Sequence, residues 1–413
     1  MNVSDGKPGT RSTDIAAPLR STVPKAPLWL LVMITISGTL AMHIFVPALP
    51  DAAHAFGVGP AAMQATISVY IIGLAFGQLV YGPLSDGLGR RPMLLFGLAL
   101  YGVASAIAMC ATSVHVLIVA RLFQALGGCA GLALGRAIVR DTSASDEAVR
   151  ALALMNLMMM VGPGFAPLAG WGLVSIGGWR LVFVVLTVLG TATLFLTWRM
   201  IPETGSPTGN VSAAKLLRDY GTLLRVPAFL GYAIGGGCAT TSIYGYIAAA
   251  PFIVTQVLHR PLGEVGIYLG LLIVGMSIGN ATTRRLIRGV SLTRLLIAGN
   301  IVSLASAVAL LLIVLAGTLT VSSAVGCTFL FALGAGLSSP AALSKALAVD
   351  NRLIGSAAGL YGFTQMAVGS LCTTLTSLGG HPALAAAVVL TGAALIAQGG
   401  FICALRYERR NAA

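Results

Sequence analysis

The sequence has few charged residues and very few acidic ones. Only 9% of the 413 residues are charged, with 12 Asp and Glu against 25 Lys and Arg, whereas 57% are hydrophobic. Since roughly a quarter of the residues in a soluble globular domain are charged, this composition excludes that class and predicts a polytopic membrane protein. The net charge of +13 would suggest nucleic-acid binding in a soluble chain. In a membrane protein, what matters instead is which loops carry the basic residues, so we expect no nucleic-acid partner.

Several chemical motifs are also missing. The six cysteines lie in apolar segments and form no CxxC pair, so neither disulfides nor a metal site is predicted. No GxxxxGK[ST] loop occurs, which excludes a self-contained ATP-driven pump. No Ser/His/Asp set, carboxylate pair or metal-ligand cluster falls within one span or loop. We therefore expect no enzyme activity and no cofactor.

What the sequence does contain is long apolar segments, each able to cross a hydrocarbon core of about 30 Å with about 20 helical residues. Twelve are predicted, at 28–50, 62–84, 93–112, 115–139, 151–176, 179–201, 226–252, 264–284, 291–316, 320–346, 354–379 and 382–405. Some connections are so short that neighbouring helices must be antiparallel. The predicted fold class is an all-α membrane protein of twelve transmembrane helices in two six-helix bundles.

The longest polar interruption lies between the sixth and seventh segments and divides them evenly. We expect a disordered cytoplasmic tail at 1–27, bundles at 28–201 and 226–405, a cytoplasmic linker at 202–225, and a second tail at 406–413. Two similar halves joined by a linker predict a substrate pathway between them.

The distribution of basic residues predicts orientation. Arg180 and Arg260 alone lie in loops on the side opposite the tails, and Arg121 and Arg136 lie within the fourth span. Every other Lys and Arg falls on the tail side. Because cytoplasmic loops carry the excess of basic residues, both termini are predicted to be cytoplasmic.

The loop GPLSDGLGRRP, residues 82–92, separates the second and third spans. The proline, glycines and charged residues of this loop are unsuited to the lipid interior, so the loop is expected to form a tight cytoplasmic turn. The order of Gly82, Asp86, Gly89, Arg90 and Arg91 resembles the signature loop of the major facilitator superfamily, although Gly87 stands where the family often has a basic residue. The resemblance implies that Asp86 pairs with Arg90 and with Asp141 across the ends of spans two to four, latching the outward-open state.

The fourth span contains an arginine, Arg121, which costs at least a few kcal/mol in lipid and so must face a cavity or a partner. Arg121 and Gln124 share a helix face, and their order resembles the fourth-helix motif of the same superfamily. A purely structural hydrogen-bonding role for Arg121 is the alternative. Glycines repeat every four residues at Gly127, Gly131 and Gly135, which predicts close approach of another helix.

The fifth span contains VGPGFAPLAG, residues 161–170, in which prolines one turn apart predict a bend. The pattern of Gly162, Pro163, Pro167 and Gly170 resembles the motif of antiporters within the superfamily. A static kink is the alternative. The resemblance implies export rather than import.

The end of the first span, GTLAMHIFVPALPD at 38–51, resembles the Bcr/CflA drug-resistance branch, except that His43 replaces an acid. In relatives that acid is associated with proton coupling and cationic substrates. No Asp or Glu of this sequence lies deep in a span to take the place of that acid. Because imidazole titrates near neutrality in water, His43 is the predicted proton carrier. A satisfied core histidine is the alternative. Asp51 and Tyr70 are accessory candidates, and the depths of His43 and Arg121 suggest one shared cavity.

The expected function is secondary active efflux of small amphipathic antibacterial-like compounds, phenicol- or bicyclomycin-like, in exchange for protons. The expected partners are a small-molecule substrate, protons and the lipid bilayer, with the protein a monomer in the bacterial inner membrane. An exporter of a metabolite such as a sugar or amino acid is a second interpretation. A non-transporting membrane sensor or scaffold is a third, although we expect no appended signalling domain.

Overall fold

The structure, a computed structural model, describes residues 26–142, 145–205, 209, 213–287, 289–350 and 352–412. Its long helices are named α1 to α12 in chain order. They are α1 Leu28–Phe56, α2 Pro60–Leu88, α3 Arg90–Met109, α4 Val114–Thr142, α5 145–176, α6 179–200, α7 Pro227–Val257, α8 Glu264–Leu286, α9 Leu292–Leu315, α10 Val321–Leu347, α11 Ile354–Ser377 and α12 Pro382–Ala412. A shorter linker helix, Ala213–Leu224, lies between α6 and α7.

These helices match the predicted spans to within a few residues at most ends. Ten stretches of the described chain are long and apolar enough to cross a membrane. One of them, Gly164–Met200, holds parts of both α5 and α6, because Gly177 and Gly178 leave the helical conformation between them. Together with α11, which is 24 residues long, the described segments make the twelve helices of the predicted fold.

Two of the long helices are interrupted inside the bundle. In α1, a short 3-10 turn at Val46–Ala48 contains Pro47, whose missing N–H cannot continue the α-helical ladder. In α7, the helix stops at Thr240, restarts at Ile243 and ends in a π-helical turn at Ile253–Val257. Because α1 and α7 are the first helices of the two halves, the interruptions fall at corresponding places.

Helices within each half approach closely where glycine replaces a larger residue. A Cβ on Gly38 of α1 would lie 2.7 Å from the carbonyl oxygen of Gly128 on α4, so α1 and α4 touch through their backbones. Gly131 meets Ile34 of α1 in the same way. The close packing predicted from the glycine repeat in the fourth span is thereby confirmed.

Among the described residues, three helix pairs form most of the contact between the two halves. In the α2–α11 pair, the Ser370 hydroxyl donates to the Ser68 carbonyl at 2.8 Å, and the rings of Phe76 and Phe363 lie 5.7 Å apart. The α5–α8 pair packs where Gly266 lies against Leu168. The α1–α7 pair meets near the interruptions of both helices, where the rings of His43 and Tyr244 lie 6.1 Å apart.

The molecule has two opposite ends, the linker face and the distal face. The linker face carries the linker helix, the α2–α3 turn at Gly89 and the α10–α11 turn before α11. The distal face carries the α1–α2 turn at Gly57, the α5–α6 joint at Gly178 and the α9–α10 turn at Gly317, all three glycines having positive φ.

Candidate functional site

Arg121 lies in the interior of the first half. Its side chain has no solvent exposure and donates through Nη1 to the Ala41 carbonyl of α1 at 3.0 Å and to Gln124 Oε1 at 2.7 Å. Gln124 in turn donates to the Ser105 hydroxyl of α3 at 2.8 Å. Arg121 and Gln124 therefore share a face, as their spacing predicts, and together they connect α1, α3 and α4.

Aromatic rings surround the same guanidinium. Its carbon lies 4.0 Å from the centre of the Tyr70 ring, 5.2 Å from that of Phe45 and 5.9 Å from that of Phe183. The Tyr70 hydroxyl donates to the Gly38 carbonyl at 2.5 Å. Cation–π attraction in a desolvated setting contributes about 2 kcal/mol, which offsets part of the cost of burying the charge. The group draws on five helices and fixes the position of α1.

His43 lies on the other side of α1. The residues of α1 that meet the Arg121 group are Gly38, Ala41 and Phe45, which share one helix face. His43 is two residues from both Ala41 and Phe45, about 200° around the helix axis. The expected cavity shared by His43 and Arg121 is therefore corrected: the phase of α1 directs them to opposite sides.

The His43 ring faces the second half of the molecule. It packs edge-on against Tyr244 of α7, with ring centres 6.1 Å apart, and its residue is 6% exposed. Tyr244 is the second residue after α7 restarts, and His43 lies three residues before the interruption of α1 begins at Val46. The pair therefore joins the two halves where neither helix is continuous.

A polar cluster on α7 and α11 lies next to this junction. Gln365 donates from Nε2 to the Thr240 hydroxyl at 2.9 Å, and its backbone carbonyl accepts from the Thr241 hydroxyl at 2.6 Å. The Ser242 hydroxyl, beside the cluster in sequence, is fully buried and finds no hydrogen-bond partner among the described residues. The run of hydroxyl residues Thr240–Ser242 within an apolar span is the sequence signal for this cluster, which was not predicted.

On the linker face, Arg90 bridges Asp86 of the signature loop and Asp141 at the end of α4. Its Nη1 lies 2.5 Å from Asp86 Oδ1, and its Nε lies 3.2 Å from Asp141 Oδ2 on α4. Arg91 donates from Nη2 to the Trp198 carbonyl of α6 at 2.8 Å. Gly82 precedes this set on α2, and Gly89 supplies the positive φ at which α2 turns into α3. The cluster connects α2, α3, α4 and α6.

Glu203 completes this cluster and was not predicted from the sequence. Its Oε1 accepts from the Arg90 backbone N–H at 2.8 Å, and its Oε2 accepts from the Arg91 N–H at 3.2 Å. The helix α3 starts directly after Gly89 without a capping side chain of its own, so the carboxylate satisfies two of its free donors. The missing cap was the sequence signal for an acid from elsewhere in the chain.

Asp51 plays the corresponding part on the distal face. Its Oδ2 accepts from the Trp179 backbone N–H at 2.8 Å, at the first residue of α6. The Phe56 and Trp179 rings lie 5.1 Å apart beside this bond. Asp51 thus fixes the end of α1 to the start of α6.

The proline-containing segment of α5 lies between the two halves. Gly170 lies directly against the Ile44 carbonyl of α1, and Gly164 lies beside Ile273 of α8. The backbone of Gly162, Pro163 and Pro167 is helical, and Pro167 is buried. The structure does not describe what surrounds Gly162 and Pro163. The chain leaves the helical conformation further on, at Gly177 and Gly178, which form the joint between α5 and α6.

A cavity of about 460 Å³ opens at the linker face between the halves. The first half contributes Gln78, Asp86, Arg90 and Arg140 to its wall, and α11 contributes Ser356. The linker helix closes one side. The cavity therefore lies between the parts of the molecule that alternating access must separate and bring together.

Two six-helix bundles with charged loop clusters at one end, joined by a linker, define a secondary transporter of the facilitator type. The chain belongs to the Major Facilitator Superfamily, whose model matches residues 31–373. This confirms the superfamily that the signature loop suggested.

Among curated proteins, the chain is 26% identical over 386 residues to the uncharacterized MFS-type transporter YdgK of Bacillus subtilis, covering 90% of this chain and 94% of that one. It is 29% identical over 267 residues to the multidrug transporter MdfA of Yersinia pestis, with coverage of 64% and 65%. It is 33% identical over 205 residues to multidrug resistance protein D of Escherichia coli, with coverage of 50% and 52%. The matches to these two drug transporters thus span between half and two thirds of their lengths.

Among solved structures, the fold resembles a bacterial homologue of the human lysosomal transporter Spinster in an inward-facing, occupied conformation. The TM-score is 0.73 at 15% identity, with 92% of this chain and 96% of that chain covered. At this identity the likeness shows the fold alone.

Proposed function

We propose that this protein exports small, amphipathic, uncharged antibacterial-like compounds across the bacterial inner membrane in exchange for protons, as a monomer working by alternating access. Phenicol- and bicyclomycin-like molecules are the substrate class, as the Bcr/CflA-like end of span one suggests. The similarity to MdfA and multidrug resistance protein D supports drug efflux.

The observation that carries the proposal is the His43–Tyr244 contact between the halves. A group that exchanges protons during alternating access must change its surroundings as the halves move, and His43 lies at such a place. Asp51, the acid nearest to it in sequence, is bonded to the start of α6. His43 is therefore the coupling residue in this mechanism, and Arg121, with Gln124 and Tyr70, holds α1 in place behind it.

The absence of a carboxylate from the junction supports an uncharged substrate. Within the described parts of the spans, the acids lie at helix ends or in turns, such as Asp51, Asp86 and Asp141. A cationic compound would therefore lack a counterion at the α1–α7 contact. Hydroxyl and amide groups of the Gln365 cluster instead suit a neutral molecule with hydrogen-bonding groups.

Expression in an efflux-deficient bacterium tests this function. Cells that express the protein should grow in the presence of phenicol- and bicyclomycin-type compounds, and an uncoupler should remove this resistance. Resistance that survives the uncoupler contradicts proton coupling. Resistance to none of these compounds, with sugar or amino-acid export instead, would favour the metabolite exporter, and no transport at all would favour the sensor or scaffold.

A further inference from the structure

The outer face of the linker helix carries two adjacent rows of residues with different chemistry. Leu217 and Leu224 are seven residues apart and form one row, with 70% and 48% of their surfaces exposed. Arg218 is exposed and lies about 100° further round the helix from Leu217, and Arg225, seven residues later in the turn directly after Leu224, is exposed as well, so the two arginines form a second row. An apolar strip thus lies beside a basic strip, as in helices that lie in the plane of a membrane surface.

The inner face of the same helix is fixed to the protein. Asp219 accepts from the Ser356 hydroxyl of α11 at 3.4 Å, and Tyr220 donates to the Leu79 carbonyl of α2 at 3.4 Å. Burial raises the pKa of Tyr220, so its hydroxyl stays protonated and keeps donating. Leu223 is 1% exposed beneath them. These contacts settle which way the outer rows point, and they turn the helix's one acid, Asp219, away from the outer face.

We propose that the outer face of the linker helix and of the turn that follows it, defined by Leu217, Arg218, Leu224 and Arg225, is a binding surface for anionic phospholipids of the surrounding bilayer. The leucines enter the boundary between headgroups and acyl chains, and the arginines contact lipid phosphates. Charge complementarity selects this occupant, because the outer face carries cations without a compensating acid. The surface is separate from the His43 junction and does not depend on the transport function proposed above.

The same helix also forms part of the cavity at the linker face. Leu216, Asp219 and Tyr220 line that cavity from the inner side, while the lipid-binding rows lie on the outer side of the same three turns. An anionic headgroup and the opening between the halves are thus separated by the width of one helix. A lipid bound there would resist displacement of the linker helix from α2 and α11.

Site-specific quenching tests the surface in the full-length protein. A fluorophore on Leu217→Cys, in a background with Cys110→Ser and Cys403→Ser to remove the exposed thiols, is placed in vesicles of phosphatidylcholine with increasing phosphatidylglycerol. In one series the phosphatidylglycerol carries brominated acyl chains, and in the other the phosphatidylcholine does; bromine quenches a fluorophore at the acyl boundary. We expect brominated phosphatidylglycerol to quench the fluorophore at a lower fraction of the membrane lipid than brominated phosphatidylcholine. Arg218→Gln should raise the required fraction roughly fivefold, and adding Arg225→Gln should raise it further by a similar factor.

Arg294→Gln is the matched control, because Arg294 is an exposed arginine at the linker-face end of α9, outside the linker helix. It should leave the quenching curve unchanged. Equal quenching by both lipids, with no effect of the linker arginines, would show a membrane-surface helix without anionic selectivity and overturn the proposal. Absence of quenching by either lipid would also overturn it, since the leucine row would then lie in water or under another protein.

Discussion

Arg121 shows how a membrane protein can hold a buried charge without a counterion. Its hydrogen-bond acceptors are the neutral Ala41 carbonyl and Gln124 Oε1, and no carboxylate of the described residues lies within ion-pair distance of it. Its Nε and Nη2 have no hydrogen-bond partner among the described residues. The Tyr70 ring, 4.0 Å away, supplies the closest electron-rich surface instead. The residue therefore acts through the position of α1, one face of which it holds while His43 lies on the other.

Replacing Arg121 should disable export through this positioning. Arg121→Ala removes the bonds to α1 and Gln124 and about 2 kcal/mol of cation–π attraction, so we expect export to be abolished. Arg121→Lys keeps the charge but loses the planar fork of donors, and export should be reduced but measurable. Efflux is measured at equal membrane abundance, with Arg294→Gln as control. An alanine variant that exports at the normal rate would leave Arg121 a purely structural residue.

At this scale the sequence predicted which residues share a helix face better than the direction in which that face points. The spacing of Arg121 and Gln124 was sufficient to place them on one face of α4. Whether that face turns toward the other half or into its own bundle depends on the rotation of α4 against α1, which packing at Gly38 and Gly128 decides. Single-sequence periodicity carries no information about that rotation, so the shared cavity with His43 was wrong.

Among the elements, the loop between α2 and α3 carries the densest set of charged contacts. Arg90 connects Asp86 and Asp141, while Glu203 caps the start of α3 beneath it. The loop also borders the cavity at the linker face. Its charges are therefore placed to respond when the two halves change their separation.

Neutralising Asp86 should slow the transport cycle without unfolding the protein. Asp86→Asn keeps the side-chain shape but weakens the pair with Arg90, and because Asp86 is well exposed the stability cost should be at most about 1 kcal/mol. We expect clearly reduced efflux at unchanged membrane abundance. Asp350→Asn, in the turn between α10 and α11, is the control and should export normally. Wild-type efflux by Asp86→Asn would reduce the loop to a topological turn.

The bounds of a helix could be predicted from the sequence where one strong local signal determines them. Apolar length fixed the twelve spans, and Gly177–Gly178 marked the joint between α5 and α6. The interruption of α7 was missed because Thr and Ser are tolerated in membrane helices, so the run at 240–242 does not by itself end one. Glu203 was missed because it caps a helix more than a hundred residues earlier in the chain.

For the whole molecule, the charge distribution predicts that the linker face is cytoplasmic. A reporter active only in the cytoplasm should give signal when fused after Ser206 or Asn411, and none when fused after Gly57 or Arg260. The reason is the excess of Lys and Arg in loops on the linker side. Signal from the distal-face fusions, and none from the others, would reverse the orientation and the proposed direction of transport.

The central claim is that His43 couples substrate export to proton movement at the contact between the halves. The most direct test is the pH change when chloramphenicol is added to proteoliposomes under an imposed proton gradient. The wild-type protein and Tyr244→Phe, which keeps the ring beside His43, should release protons on addition. His43→Ala should bind the drug without releasing protons, and His43→Asp should restore release. Undiminished proton release by His43→Ala would contradict the account.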